Sequence, residues 1–182
     1  HRIRRSLGQI PTSIENIYHM LDIYQVLPSS QEVQETWTPR GRLDMGAGEY
    51  PYLGGGFYGY ETTAEGLTYR WTDGLARIEL TLFDTGEILL RLRVAGGRPS
   101  GVENAHLSIL VNDKEVMSQN LPAGFEFHIM EVTLPSEWFA MDWQSISIEL
   151  ESNTWSPLAS GQGSDPRQLG IVVDWIEWPP SR

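Results

Sequence analysis

Four carboxylates, one arginine and a set of aromatic residues are the groups in this chain that could do chemistry. Two of Asp44, Glu61, Asp165 and Asp174, facing each other across a groove, would make the acid pair of a polysaccharide hydrolase. That reaction needs carboxyl groups roughly 5–10 Å apart, and spacing along the chain does not pair them. In the stretch SDPRQLGIVVDWIEW, Pro166 fixes a turn between Asp165 and Arg167. Arg167 reads as a structural ion pair with a carboxylate such as Glu61 or Asp165, with Asp174 a further acid of that cluster, or else as a ligand-binding arginine.

Stacking is the second available chemistry. A sugar presents an apolar C–H face that packs on an exposed ring, while its hydroxyls need donors and acceptors at the rim. The chain has 7 tryptophans. Trp155 lies in SNTWSPLASGQGSD, which has no strand pattern, and Asn153, Gln162 and Asp165 stand beside it. In YPYLGGGFYGYE the three glycines permit a bulge or a close backbone approach. Tyr58 and Tyr60 then either stack on a sugar or fill the end of a core. Trp71 and Trp175 sit in strand patterns and read as core.

Other chemistries find no support. There is no cysteine, hence no disulfide framework and no thiolate site. His1, His19, His106 and His128 lack zinc-ligand spacing. No serine occupies a Gly-x-Ser-x-Gly elbow. The glycine run lacks the Gly-Lys-Ser/Thr of a phosphate cradle. The net charge is −11, the wrong sign for a nucleic-acid face. Setting aside Arg2, Arg4 and Arg5 leaves 10 basic against 24 acidic residues, a charge of −14. That basic start reads as a juxtamembrane flank or as a solvated terminus. No apolar run approaches the roughly 18 residues of a membrane span, and no signal peptide is visible. A start at His1 reads as a fragment of something longer.

These groups need elements to position them. Residues 12–27 pair Thr12 with Glu15 as a capping box and place Ile14, Ile17, Tyr18 and Leu21 on one stripe, which predicts an amphipathic helix. Residues 29–41 read as linker. From residue 42 the period changes to two. Segments 76–83, 87–96, 105–113, 125–134 and 144–152 alternate apolar and polar, and 67–73 is aromatic and β-prone. Asp73-Gly74, Asp84-Thr85-Gly86 and Gly96-Gly97-Arg98-Pro99 mark turns, and Val111-Asn112-Asp113-Lys114 marks a tight hairpin. Residues 169–176 are apolar on both faces, the mark of a central strand.

Three stretches, LDMGAGEYPYLGGGFYGYE (hairpin-like), LTYRWTDGLARIEL and SNTWSP…DPRQLGIVVDWIEW, together resemble the extracytoplasmic β-sandwich modules of bacterial multi-spanning membrane proteins of the glycosyltransferase type. More distantly they resemble galactose-binding-like jelly rolls, the fold of many carbohydrate-binding modules. The resemblance covers about residues 42–178. It implies an accessory, non-catalytic domain outside the cytoplasm. Such folds often hold a structural calcium ion, for which Asp44, Glu49 and Glu177 are the candidates here, although no loop has the ordered acid spacing of a dedicated site.

The expectation is therefore an all-β, antiparallel, two-sheet jelly-roll sandwich at 42–182, preceded at 1–41 by a helix and linker. The resemblance implies that it belongs to a larger, membrane-anchored protein, such as a glycosyltransferase, and lies outside the cytoplasm. It binds a glycan or a protein partner, not nucleic acid. The ligand candidates are Trp155, Asn153, Asp165, Arg167, Tyr58 and Tyr60. The alternative is the hydrolase with its carboxylate pair. Oligomeric state is left open by the sequence.

Overall fold

A computed structural model of the chain describes residues 41–46, 52–82, 87–138 and 144–178. The chain divides into two units, His1–Arg40 and Gly41–Arg182, and all described residues belong to the second. The helix expected at 12–27, the linker before residue 41 and Glu49 lie outside them.

The described residues form nine strands: β1 (Arg42–Asp44), β2 (Leu53–Thr62), β3 (Thr68–Leu82), β4 (Ile88–Ala95), β5 (His106–Val111), β6 (Lys114–Asn120), β7 (His128–Leu134), β8 (Gln144–Ser152) and β9 (Val172–Glu177). A 3-10 turn covers Ser136–Trp138. The pairing runs β6-β5-β8-β3-β9-β4-β7, with β2 also on β3 and β1 also on β9. Every one of these pairings is antiparallel.

The ladder folds over at β3. Leu75–Leu82 pair with β8, while Arg70 and Trp71 pair with β9. One strand thus serves both layers of a sandwich. The bend falls at Asp73-Gly74, where a turn between two separate strands was expected. Gly74 has φ 110°, a conformation that a side chain would strain. It lets the strand change layers without stopping.

Between the layers lies one apolar core. β5 contributes Leu107, Ile109 and Val111, and β8 contributes Ile146, Ile148 and Leu150; Leu90, Leu92 and Val94 of β4 and Val132 and Leu134 of β7 join the same cluster. Each such side chain, taken fully out of water, contributes about 1.5–3 kcal/mol. The outward-facing residues are exposed or half-buried, as on β4, where Leu89, Arg91 and Arg93 alternate with the core residues. The hairpin at 111–114 forms as expected: Asn112 (φ 49°) and Asp113 (φ 63°) take the two left-handed positions of a type I′ turn.

Two expectations need correction. The hairpin-like segment 43–61 is not a hairpin, because β1 pairs with β9 and β2 with β3. The apolar faces of the last strand do not alternate cleanly either. The β4–β9 register shifts between Arg93 and Val94, a bulge that puts both Val173 and Ile176 into the core although they are three residues apart.

The glycine run of β2 also makes an irregular ladder, with register shifts between Leu53, Gly55, Phe57 and Tyr60. At Gly56, φ is 76°, and an added Cβ would lie 2.0 Å from the Leu75 carbonyl oxygen. The obstacle is backbone and cannot swing away. Gly56→Ala is expected to cost about 2 kcal/mol in unfolding free energy by denaturant titration. An unchanged midpoint would show that β2 does not need this close approach to β3.

Candidate functional site

The long connection between β8 and β9 is tied to itself. Trp155 and Leu169 exchange backbone hydrogen bonds at 2.9 and 2.7 Å, and Leu158 N–H donates to Asp165 O at 2.9 Å. Within this ribbon Pro166 turns the chain so that the Asp165 carboxylate accepts the Arg167 backbone N–H at 2.9 Å. The same carboxylate takes the side chain: Arg167 Nε donates to both Asp165 oxygens (3.1 and 2.9 Å) and Nη2 to Oδ2 (2.7 Å).

Glu61, near the end of β2, completes the fixing of Arg167. Its Oε1 accepts from Arg167 Nη2 at 2.8 Å, and its Oε2 accepts from Tyr69 O–H at 3.1 Å. The guanidinium lies 5.1 Å above the ring of Tyr58, whose hydroxyl donates to Gln168 O at 2.9 Å. Nε and Nη2 are consumed; Nη1 has no partner among the described residues. Arg167 is therefore held rigidly with one nitrogen still to donate.

The charges respond as expected. Hydrogen bonds from Arg167, first from its side chain and then from its backbone, hold the Asp165 carboxyl below the usual carboxylate range. The hydrogen bonds that Arg167 donates to the Asp165 carboxylate are the largest influence raising Arg167. Burial first, and Glu61 second, push the Tyr69 hydroxyl up.

Beside this cluster is a second, smaller apolar group of Tyr69, Trp71, Ala95, Leu169 and Val172, against which Tyr58, Phe127 and Trp155 pack. Phe125 stands edge-on to Tyr69 (5.8 Å) and Trp71 (5.4 Å) and is 47% exposed. Together these residues line an open depression of about 420 Å³, with Phe125, Trp155, Tyr69 and Trp71 as its aromatic part and Glu61, Gln162, Asp165 and Arg167 as its polar part.

Arg98 also borders the depression. It is buried, donating from Nη1 to Glu103 O at 2.8 Å and from Nη2 to both Asn153 O and, at 3.1 Å, Asn153 Oδ1. Burial lowers its tendency to hold the proton. It anchors the loop after β4 to the end of β8.

Of the expected ligand residues, the fold brings Trp155, Asp165 and Arg167 together in the depression, with Tyr58 stacked on the arginine. It does not bring the others. Asn153 is occupied structurally: its Oδ1 accepts from Arg98 and from His106 N–H (2.8 Å), and its Nδ2 donates to Asn104 O (3.2 Å). Tyr60 lies 5.8 Å over the guanidinium of Arg70. Asp174 is not part of the Arg167 cluster. It is buried beside Arg93, to which it is hydrogen-bonded, because the bulge in β9 turns it toward β4. Phe125, Tyr69 and Arg98 were not singled out from the sequence. The strand expected over 125–134 starts at His128, which frees Phe125 for the rim.

Of the calcium candidates, Asp44 and Glu177 are both bonded to Arg42, and Glu49 lies outside the described residues. β1–β9 pairing does bring Asp44 near Glu177, but Arg42 occupies the space between them, at 3.0 and 3.5 Å. Among the described residues no group of three or more histidine, aspartate or glutamate side chains could hold a metal ion.

Each of the four acids considered for a hydrolytic pair, Asp44, Glu61, Asp165 and Asp174, is in an ion pair. Glu61 and Asp165 share one arginine nitrogen, and the Asp165 carboxyl, held low by Arg167, is a poor proton donor for that reaction. What the depression offers is apolar stacking surface next to fixed donors and acceptors.

No family model matches the chain, and no curated protein does. Among solved structures it is similar to a family 35 carbohydrate-binding module from Clostridium thermocellum, at 14% identity over 77% of this chain and 98% of that one, TM-score 0.46. It is also similar to the ANX2 ectodomain from Arabidopsis thaliana (11% identity, 76% of this chain, 49% of that one, TM-score 0.48). A third likeness is to the Podospora anserina GH26-CBM35 β-(1,4)-mannanase (18% identity, 79% of this chain, TM-score 0.41), of which the chain spans 28%.

Proposed function

We propose that this chain is a glycan-binding accessory module of jelly-roll, galactose-binding-like type, and that the depression beside Arg167 is where the glycan binds without being turned over. The observation that carries this reading is the immobilised guanidinium of Arg167. It has one free nitrogen and sits next to the exposed ring of Phe125 and the partly buried indole of Trp155. Such a group donates to a hydroxyl without first losing conformational freedom. Arg98 and Arg167 balance Glu61 and Asp165 in charge, so the depression fits an uncharged sugar better than a strongly ionic ligand. The resemblance of residues 42–178 supports a setting outside the cytoplasm, with the parent chain anchored in a membrane.

Titration of neutral oligosaccharides, followed by amide chemical shifts, tests this reading. Shifts are expected at Phe125, Trp155, Gln162 and Arg167. Trp155→Ala is expected to weaken binding about tenfold, the equivalent of about 1.4 kcal/mol. A broad panel of glycans that moves none of these signals would refute the proposal.

A further inference from the structure

On the outer face of the other layer, β5 and β6 place three polar side chains in a line. Ser118 Oγ is 3.0 Å from His106 Nε2, and His106 Nδ1 is 2.9 Å from Asn120 Oδ1. All three residues are exposed. The register explains the line, since His106 is directly opposite Asn120 and Ser108 is directly opposite Ser118.

The hydrogen bonds have a direction. The Asn120 carbonyl oxygen only accepts, so His106 Nδ1 carries the proton; Nε2 of the neutral ring then accepts, and the Ser118 hydroxyl donates to it. With its one proton committed, Ser118 Oγ accepts from the Ser108 hydroxyl, 3.0 Å away. Nucleophile, base and orienting group are thus connected in the sense that serine hydrolases require.

The backbone adds a donor. Leu121 N–H bonds to Ala105 O at 2.8 Å, which makes His106–Asn120 a pair without mutual backbone hydrogen bonds. Two residues along, Ser108–Ser118 is of the same kind. His106 N–H accordingly turns away from β6 and reaches Asn153 Oδ1 at 2.8 Å. Ser118 N–H turns the opposite way, to the edge of the sheet, where β6 has no further strand beside it among the described residues. It is available to an oxyanion forming on Ser118. His106 and Ser108 also border a shallow hollow of about 340 Å³, where Leu75 is exposed and apolar and Glu151 and Ser152 are polar.

We propose that Ser118, His106 and Asn120 form a nucleophilic relay that hydrolyses small carboxylic esters such as acetyl esters. This goes beyond the glycan-binding reading and does not depend on it. Ser118 Oγ bonds to the ester carbonyl carbon while its proton passes to His106 Nε2. The carbonyl oxygen carries the negative charge against Ser118 N–H. When the carbon–oxygen bond to the alcohol breaks, His106 Nε2–H protonates the leaving alkoxide. Water then attacks the acyl-serine, giving its proton to Nε2, and the acid departs as the proton returns to Ser118 Oγ. Ester and water become acid and alcohol, with no other reactant. Ser118 and His106 are the catalytic residues; Asn120 is a positioning residue.

The test uses the full chain with p-nitrophenyl acetate, and with a fluorophosphonate as a covalent probe. Stoichiometric phosphonylation at Ser118, located by peptide mass, is expected. Ser118→Ala should abolish both labelling and hydrolysis. His106→Ala should slow acylation about 100-fold or more, with partial recovery on adding imidazole. Asn120→Ala should lower the rate and Asn120→Asp, which retains the acceptor, should restore it. Ser108→Ala should still be labelled. His106, Ser118 and Asn120 are exposed and Ser108→Ala only removes a hydroxyl, so thermal melts should show all variants folded. Absence of labelling in the folded wild-type chain, or hydrolysis undiminished in Ser118→Ala, would overturn the proposal.

Discussion

Replacing Arg93 with methionine is expected to lower the unfolding free energy by about 3 kcal/mol at pH 7, and by progressively less as the solution is acidified. Asp174 is almost fully enclosed, its side chain 5% exposed, and Arg93 is the cation bonded to it. Burial raises the Asp174 carboxyl above its ordinary value, the hydrogen bond and charge of Arg93 oppose that rise, Asp44 adds to it, and Arg42 opposes it weakly. Removing Arg93 leaves a buried anion with little compensation.

The pH dependence follows from the direction of the shift. A carboxyl raised in the folded state binds its proton more readily when folded than when unfolded. The folded state therefore gains stability as pH falls through the folded value toward the unfolded one, 3.8. In the variant this gain is larger, because the opposing cation is gone. Denaturant titrations at pH 7 and pH 4.5 measure both points. The double variant Arg93→Met/Asp174→Asn should recover most of the loss at pH 7. A deficit that stays constant between the two pH values would mean that Arg93 acts through its packing on Phe127, 4.8 Å from its guanidinium, and not through charge.

Arg98→Met carries the second large effect, again about 3 kcal/mol. Three oxygens accept from this guanidinium: the carbonyls of Glu103 and Asn153, and the side-chain oxygen of Asn153, which it shares with His106 N–H. Methionine fills much of the volume but satisfies none of them, and the site is closed to water. Arg98→Lys should be nearly as costly, because an ammonium cannot reproduce the planar fork. The loss should appear in urea titration and, locally, as faster amide exchange at His106, whose N–H relies on Asn153. If either variant unfolds at the wild-type midpoint, the buried arginine does not join the loop to β8 in any energetically useful sense.

Arg98 also shows why part of the site was hidden in the sequence. Gly96-Gly97-Arg98-Pro99 reads as a turn, and turn arginines are usually solvated. Nothing local indicates that Asn153, 55 positions away, closes over this one. The Asp165–Arg167 interaction was legible because a proline between opposite charges brings them together locally. Glu61 was named as a partner on general grounds, but its actual delivery depends on the pairing of β2 with β3. β4 was legible, Leu90, Leu92 and Val94 alternating with Arg91 and Arg93, with Leu89 an apolar exception on the outer face. β9 was not, since a bulge depends on what the neighbouring strand does and leaves no periodic trace. Phe125 was assigned to a strand because Phe125, Phe127 and Ile129 alternate with polar residues, although the core face of the true strand falls on Met130, Val132 and Leu134, out of phase with them. The relay on β5 and β6 was invisible for a related reason: His106 and Ser118 become neighbours only through register.

The strand shared by both layers fixes the order of events during synthesis. Residues 68–82 are made before the segments they must bind, 144–151 and 172–173, which emerge only after all the intervening strands. Neither layer can close until nearly the whole module has emerged. Until then its valines, leucines and isoleucines face the cell's chaperones, and any break in translation before the final strand leaves both layers unclosed together.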